Sequence, residues 1–318
     1  MALFLRSGSA AIKSAGRMFS SSASTQGFKR TPFVIASSMV VAGTTSYLAY
    51  NAMNAPISAA SGAFPGDGNF FDLTLTDIKL ISPNTGIFTF AFDDKNSTSG
   101  LITASAVLVK YVTAKGNNVI RPYTPISDVD QKGSLDLLVK EYPGGKASTH
   151  IHNLKPGDKL AFKGPIVKYA WTENKHDEIV LIGGGTGITP LYQLIHEINK
   201  NPADKTKVTL VYGNVTEDDI LLKKELDSIA SAKPDQFKIV YALDKPSESW
   251  KGITGYITKD VLSPLLPAPN AANIKIFICG PPPMYMSISG PKNSPQDQGE
   301  LSGILKDLGY VKEQVLKF

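Results

Sequence analysis

The pattern of apolar and polar positions divides the chain into two parts that meet near residue 172. In residues 70–171, short runs of alternating apolar and polar residues are separated by turn signals. Runs of this length and spacing are typical of an antiparallel barrel or sandwich. One segment, GKASTHIHNL at residues 145–154, instead predicts a short helix opened by glycines and followed by a KPGD turn. The predicted strands are FDLTLTDIKLI, GIFTFAF, SAVLVKYV, RPYTPIS, SLDLLVKEY and DKLAFKGPI.

From residue 177 onward, apolar strands alternate with amphipathic helices. The strands are EIVLIGGG, KVTLVYG, FKIVYAL and IKIFICG, and the helices between them are LYQLIHEINK, DILLKKELDSIA and ITKDVLSPLL. This alternation predicts a doubly wound parallel sheet with helices on both faces. We therefore expect two domains, an antiparallel β-barrel at residues 69–172 followed by an α/β doubly wound parallel-sheet domain at residues 173–318. Ligands of such a parallel sheet bind outside the carboxyl ends of its strands.

The charge distribution separates the first 66 residues from the rest. Five of the 33 basic residues lie before Asp67, which is the first of the 28 acidic residues. The remainder therefore carries 28 basic and 28 acidic residues and is neutral overall. A nucleic-acid-binding domain would show a surplus of basic residues in its folded part, so no nucleic acid is expected as a partner. The single cysteine, Cys279, excludes an intramolecular disulfide framework and a cysteine-based zinc site.

The composition of the N-terminal region predicts a targeting sequence followed by a membrane segment. Residues 1–30 are rich in serine and alanine and contain no acid, the composition of a mitochondrial transit peptide. Residues 31–56 carry no charge and are long enough to cross a hydrocarbon core of about 30 Å, although serines and threonines dilute their hydrophobicity. We predict a targeting leader at 1–30, a membrane anchor at 31–56 and a Gly/Pro-interrupted linker at 57–68.

Two alternatives to an anchor stay open. One is a flexible, cleaved leader with no lasting membrane contact. The other is a secretory signal peptide, whose apolar region would be shorter and nearer to the start. The expected location is the mitochondrial outer membrane, with a processed form in the intermembrane space. The sequence leaves the orientation of the anchor open.

Two prolines stiffen the run RPYTPIS at residues 121–127. A proline ring fixes its own φ and pushes the preceding residue toward an extended conformation. Arg121 and Thr124 are therefore expected on rigid, extended backbone. From the residues alone, an ordinary edge strand that ends in a turn fits equally well.

The run GGGTGITP at residues 183–190, called the glycine loop below, follows an apolar strand and opens a helix. Its backbone amides are therefore able to face an anion at the helix N-terminus. The loop departs from the dinucleotide fingerprint, because the third glycine of that pattern would stand at Ile188. A tight turn with no ligand is the alternative.

The remaining candidate residues give weaker evidence for ligand binding or catalysis. In CGPPPM, residues 279–284, three prolines remove three amide donors and stiffen the loop, but a cysteine after a buried strand is more often a packed thiol than a reactive one. Asp244 follows another apolar strand and is either a ligand-binding carboxylate or an exposed loop residue. His150 and His152 are two residues apart, which on a helix points them to different faces, so no metal site is expected.

In this order the segments resemble a known family. RPYTPIS and GGKAS in a β-rich first domain, then GGGTGITP, LDKPSESW and CGPPPM in an α/β domain, are similar to the NADH-cytochrome b5 reductases and more broadly to the ferredoxin reductase-type flavoproteins. The resemblance covers residues 70–318. Together with the leader and the apolar segment, it is greatest to the mitochondrial form of fungi. It implies an FAD-binding barrel followed by an NADH-binding domain, with an N-terminal membrane anchor.

The resemblance implies roles for residues of the first domain. Arg121 would neutralise the FAD pyrophosphate, Tyr123 would lie along the flavin and ribityl chain, and Thr124 would hydrogen-bond the isoalloxazine ring. The prolines, Pro122 included, would supply the rigid strand. The other implied FAD contacts are Leu138, Lys140 and Tyr142 on the next strand and Gly145, Lys146, Ala147 and Ser148 at a helix start, where amides and the helix dipole favour anions.

For the second domain, the resemblance places NADH across the strand ends. Thr189 would reach back to FAD, Cys279 would position the nicotinamide without attacking it, and Asp244 would accept hydrogen bonds from the adenosine ribose. Such a carboxylate repels a 2′-phosphate and so favours NADH over NADPH. Thr124 and Cys279 are the residues expected nearest the chemistry. The other implied NADH contacts are Gly184, Thr186, Gly187, Gly280, Pro281 and Met284.

The implied reaction is hydride transfer from NADH to FAD, followed by transfer of single electrons to the haem of a cytochrome b5-like protein. Lys146 is expected to help attract an acidic haem protein. Two alternatives stay open: a ferredoxin- or quinone-linked reductase, and a non-catalytic, membrane-tethered nucleotide-binding module. No coiled-coil heptads occur, so a monomer is expected.

Overall fold

The first sheet is antiparallel and consists of six strands in the order β4-β3-β6-β1-β2-β5. A computed structural model describes residues 62–318; the predicted leader and anchor lie outside the described residues. Alternate side chains of each strand point inward, so Phe88 and Phe90 of one strand are fully buried. The strands are β1 (Phe71–Ser82), β2 (Thr85–Ala91), β3 (Ser105–Val112), β4 (Asn118–Tyr123), β5 (Ser134–Lys140) and β6 (Lys159–Val167).

The two edges of this sheet meet just after β4. The amide of Ile126 donates to the carbonyl of Asp136 in β5 over 2.9 Å, which joins the edges as the closure of a barrel requires. Among the strands of residues 62–318, β4 itself pairs only with β3. A proline removes a ladder donor and is tolerated on such an edge strand, which explains Pro122 at this position.

The described end of the predicted linker packs against the first sheet. Phe64 is 3% exposed and lies edge-on to Phe71, with ring centroids 4.9 Å apart. The amides of Ala63 and Phe64 donate to the carbonyls of Thr98 and Ser99. Phe64 is therefore part of the core of the first sheet, and Ala63 packs against that core.

The predicted short helix is present between β5 and β6. It is α1 (Lys146–His152), and it buries Ile151 completely against the core of the first sheet. Its two histidines have different neighbours: His150 stacks on Tyr111 at 4.0 Å, and Nε2 of His152 lies 3.0 Å from the carbonyl of Val139.

The second sheet is parallel, in the order β10-β9-β8-β7-β11-β12. Its central strands are apolar on both faces because helices cover both, so Val180, Leu181 and Ile182 in succession are fully buried. The strands are β7 (Glu178–Gly184), β8 (Lys207–Asn214), β9 (Phe237–Leu243), β10 (Ile253–Thr254), β11 (Ile274–Cys279) and β12 (Val315–Lys317). The helices are α2 (Ile188–Lys200), α3 (Lys223–Ala232), α4 (Lys259–Leu262), α5 (Pro282–Ile288) and α6 (Gly303–Asp307).

An antiparallel sheet followed by a parallel sheet confirms the predicted fold class in outline, but several helix bounds differ. α3 begins at Lys223, because Leu222 adopts a left-handed conformation (φ 57°) that a helix cannot contain. α4 has only four residues. α5 begins inside CGPPPM, where a stiff loop was expected, because prolines fit the first turn of a helix. Within residues 62–318, no helix combines the length and apolar character needed to cross a membrane.

We expect the substitution Lys317→Met to lower the free energy of unfolding by about 2 kcal/mol, because buried carbonyls would lose their donor. Lys317 is 3% exposed, and its Nζ lies 3.3, 3.2 and 3.1 Å from the carbonyl oxygens of Ser289, Gly290 and Pro291. Denaturant titration of the variant measures the change. Lys312→Met is the control, since the Lys312–Glu300 ion pair is exposed and such pairs contribute little. Equal stability of the two variants would contradict the role of Lys317.

Candidate functional site

A cleft of about 1610 Å³ lies between the carboxyl edge of the second sheet and the β4–β5 side of the first. Every site residue predicted from the sequence lines it. Those from the first part of the chain are Arg121, Pro122, Tyr123, Thr124, Leu138, Lys140, Tyr142, Gly145, Lys146, Ala147 and Ser148, and those from the second are Gly184, Thr186, Gly187, Thr189, Asp244, Cys279, Gly280, Pro281 and Met284.

β4 presents a positive charge and a neutral phenol to the cleft. The guanidinium of Arg121 donates to the neighbouring carbonyl of Ile120 over 2.7 Å, and within residues 62–318 it forms no ion pair. Its charge is therefore available to an anion. Burial raises the pKa of Tyr123 to about 12, so this side chain stays protonated at neutral pH. Thr124 follows directly after the strand end.

The end of β5 contacts the second sheet across the cleft. Lys140 Nζ lies 2.6 Å from Asp219 Oδ1, and the Tyr142 hydroxyl lies 2.9 Å from Oγ1 of Thr186 in the glycine loop. Burial acts to raise the pKa of Asp219, but the hydrogen bonds from Lys140 and Thr216 outweigh it, and the pKa lies below its usual value. These contacts bring the strand predicted to hold FAD against the loop predicted to hold NADH.

Glycine is required sterically at Gly187, where two backbone segments in the cleft approach one another. A Cβ on Gly187 would lie 2.1 Å from the carbonyl oxygen of Cys279, a backbone atom, whereas one on Gly184 would lie 2.7 Å from the terminal methyl group of Met284, a flexible side chain that can move away. Gly185 has φ +54° in the three-residue 3₁₀ turn before α2, and its carbonyl accepts a hydrogen bond of 2.8 Å from the buried Tyr212 hydroxyl. The glycine loop is therefore packed directly against the start of CGPPPM.

Cys279 ends β11 beside the glycine loop and is partly exposed. Burial of the sulfur raises its pKa to about 11, so at neutral pH the group is a thiol and not a thiolate. A protonated thiol is a poor nucleophile. A thiol at this position suits the predicted positioning role of this residue better than nucleophilic attack.

Some lining residues were not predicted from the sequence. Asn214 ends β8, and both polar atoms of its side chain are buried with no hydrogen-bond partner in the described part of the chain. It lies beside Asp244, whose amide donates to the Asn214 carbonyl over 3.0 Å. The position of Asn214 after an apolar strand was the sequence feature that could have indicated its place in the cleft. Three lysines, Lys168, Lys259 and Lys292, also line the cleft, and nothing in their local sequence indicated this.

The cleft is basic overall. Its basic side chains, Arg121, Lys140, Lys146, Lys168, Lys259 and Lys292, outnumber its acidic ones, Asp219 and Asp244. Walls with a surplus of one charge raise the local concentration of ligands of the opposite charge. The dimensions, the backbone cradles and the positive charge together suit dinucleotides with pyrophosphate groups.

Comparison with known proteins decides the family. An oxidoreductase FAD-binding domain family matches residues 72–171, and an oxidoreductase NAD-binding domain family matches residues 181–289. NADH-cytochrome b5 reductase 2 of Yarrowia lipolytica is 56% identical over 285 residues, which are 90% of this chain and 98% of that protein. The chain belongs to the NADH-cytochrome b5 reductase family. NADH-cytochrome b5 reductase 2 of Debaryomyces hansenii is 55% identical to this reductase over 289 residues, which are 91% of this chain and 96% of that protein.

Solved structures agree with this assignment. The cytochrome b5 reductase domain of Ulva prolifera nitrate reductase is 30% identical to this reductase, with a TM-score of 0.72 over 81% of this chain and 100% of that one. A ferredoxin NADP⁺ reductase from Neisseria gonorrhoeae, 16% identical with a TM-score of 0.58 over 78% of this chain and 98% of that one, shares the fold. The resemblance stated from the sequence is thus confirmed at the level of the family, whereas the roles of single residues stay predictions.

Proposed function

We propose that the protein transfers a hydride from NADH to FAD and passes the electrons singly to cytochrome b5. The observation that carries this proposal is the cleft itself. Strand β4 and the end of β5 form one wall, the glycine loop and Cys279 form the other, and Tyr142 and Thr186 are in contact across it. Two redox groups held on opposite walls would meet within one cleft.

The first wall fits FAD. Arg121 and Lys146 supply positive charge for its pyrophosphate, and a Cβ on Gly144, just before the start of α1, would meet no atom within 4 Å, so the backbone there is open to close approach. Tyr123, as a neutral phenol, contributes a flat apolar surface and a hydroxyl. When bound, FAD accepts a hydride and releases its electrons one at a time. The residues named here bind and orient the cofactor.

The second wall fits NADH. Asp244 places a carboxylate at the end of β9, where it would accept hydrogen bonds from the adenosine ribose and disfavour a 2′-phosphate. Beside it lies the side-chain amide of Asn214, whose polar atoms have no hydrogen-bond partner within residues 62–318. Cys279, as a thiol, would contact the nicotinamide without reacting with it.

The proposed acceptor is an acidic haem protein. Lys146 lies at the cleft and is exposed, so it would attract such a partner before contact. An alternative acceptor, a ferredoxin or a quinone, is compatible with the same cofactor-binding walls. The names of the curated relatives favour cytochrome b5.

The proposed location is the mitochondrial outer membrane, with the folded part held by an anchor at residues 31–56. The acid-free leader and the uncharged segment that follows support it. We also propose a second, cleaved form in the intermembrane space and a monomeric protein.

The experiment that tests the acceptor uses the purified full chain in detergent with NADH and one acceptor at a time. Reduction of cytochrome b5, followed by haem absorption, is expected to be faster than reduction of a ferredoxin or a quinone at equal concentration. Because exposed charges steer the encounter, the rate should also fall as salt is added. Slow reduction of cytochrome b5 beside rapid reduction of another acceptor would contradict the proposal.

A further inference from the structure

One face of helix α2 contacts the segment that follows β4. Thr189, Gln193, His196 and Lys200 are spaced by four, three and four residues and therefore lie on the same side of the helix. Thr189, at the first turn, lines the cleft. The other three side chains reach residues 125–130, which belong to the first part of the chain.

The outer contacts on this face are two ion pairs of Lys200 and a histidine–carboxylate contact. Lys200 Nζ lies 2.9 Å from Asp128 Oδ1 and 2.5 Å from Asp130 Oδ2, and His196 Nε2 lies 3.2 Å from Asp128 Oδ2. The side chain of Asp130 is 75% exposed. Exposed pairs of this kind hold two surfaces together only weakly.

The Gln193 contact is different because it is buried. Gln193 is 7% exposed, and its Nε2 donates to the carbonyl of Pro125 over 2.9 Å. Pro125 is itself buried, so loss of the donor would leave a carbonyl without a partner away from water. Loss of this bond is therefore expected to destabilise the segment more than loss of the ion pairs further along the helix.

The bond connects two parts of the cleft. On the N-terminal side of Pro125 stands Thr124, which lines the cleft, and on its C-terminal side the amide of Ile126 is held by Asp136. On the helix, Gln193 lies one turn from Thr189, a rise of about 6 Å. The proline ring leaves little backbone freedom between the carbonyl and Thr124.

We propose that Gln193 is a positioning residue that sets the distance between Thr124 and the glycine loop, and thereby the alignment of the two redox groups. The inference rests on the proposed function. Gln193 itself does not line the cleft and would act through Pro125.

The test compares Gln193→Met with Gln236→Met. Both substitutions keep the side-chain length and remove an amide that donates to a backbone carbonyl, but Gln236 bonds the carbonyls of Asp204 and Thr206, outside the cleft. The measurements are the rate constant for flavin reduction by saturating NADH, the dissociation constant for NADH, and hydrogen exchange of the peptide that contains residues 124–131.

In Gln193→Met, the rate constant is expected to fall roughly tenfold to a hundredfold, because a small misplacement of reacting groups has effects of this size. Binding of NADH should change by less than about twofold, since no lining residue is altered. Exchange of the 124–131 amides should become faster. Gln236→Met, at a similar loss of melting temperature, should keep the wild-type rate constant.

Gln193→Glu provides a second variant. A protonated carboxyl group can donate to the Pro125 carbonyl and an ionised one cannot. The flavin-reduction rate of this variant should therefore recover as the pH falls, relative to the wild type.

Wild-type rate and wild-type exchange in Gln193→Met would overturn the inference, as would an equal loss of rate in Gln236→Met. If NADH fails to reduce the wild-type protein, the proposed function fails. The exchange measurement tests the Gln193 contact independently of that outcome.

Discussion

Replacement of Gly187 by alanine is expected to lower the rate constant for flavin reduction by NADH at least about a hundredfold. The added Cβ would lie 2.1 Å from the carbonyl oxygen of Cys279, 2.5 Å from its carbonyl carbon and 2.9 Å from the amide nitrogen of Gly280. All three are backbone atoms, so no side-chain rotation can relieve the contact. The glycine loop and the start of CGPPPM must move apart, and misplacement by about an ångström has effects of this size on a reaction between bound groups.

Rapid mixing of the variant with NADH measures the rate constant, and Gly213→Ala is the matched control. Gly213 also lines the cleft, but its added Cβ would lie 3.3 Å from the terminal methyl group of Ile257, which can rotate away. We expect Gly213→Ala to affect the rate much less. A wild-type rate in Gly187→Ala would show that the close approach of these two loops is not needed for the reaction.

Replacement of Arg121 by glutamate is expected to yield protein that loses its FAD on purification, with an affinity reduced at least about a hundredfold, or about 2.7 kcal/mol. Arg121 carries a positive charge in the cleft that no carboxylate in the described residues neutralises. The variant would replace attraction for a pyrophosphate by repulsion. Charge-assisted hydrogen bonds contribute about 1.5–3 kcal/mol, so removal of the guanidinium alone accounts for much of the effect.

Titration of the apo-protein with FAD, followed by flavin fluorescence, measures this affinity. Arg121→Lys should retain an intermediate affinity, because lysine keeps the charge but not the planar fork of donors. Lys110→Glu is the control for charge reversal on the same sheet; Lys110 lies opposite Ile120 and packs over Phe70, outside the cleft. Wild-type affinity for FAD in Arg121→Glu would contradict the proposed role of β4.

Much of the fold follows from periodicity. The run GIFTFAF predicted β2 because its alternate residues, Phe88 and Phe90 among them, are buried in the barrel and the others are not. The strands of the second sheet were predicted as apolar runs, since helices cover both of their faces. Two short strands are harder to predict from periodicity, because β10 has only two residues and β12 only three.

The helix bounds depended on local features that periodicity does not contain. The apolar spacing of DILLKKELDSIA continues across Leu222, yet the left-handed conformation of that residue starts α3 later. In CGPPPM, consecutive prolines indicated a stiff loop, whereas their fixed φ also suits the first turn of α5.

The candidate site was predictable where its residues lie in loops with special composition. RPYTPIS and the glycine loop stand out through proline, glycine and hydroxyl residues, and both line the cleft. Contacts that depend on the packing of distant segments could not be predicted. Gln193 and Pro125 are 68 residues apart in the chain, and the sequence around each indicates nothing about the other.

The most direct measurement is the visible spectrum of the purified full chain before and after anaerobic mixing with NADH. If β4 and the glycine loop hold FAD and NADH on facing walls of one cleft, the protein is yellow as isolated and its flavin absorption is lost when NADH is added. A colourless protein, or a yellow one whose absorption persists in the presence of NADH, would contradict the central claim.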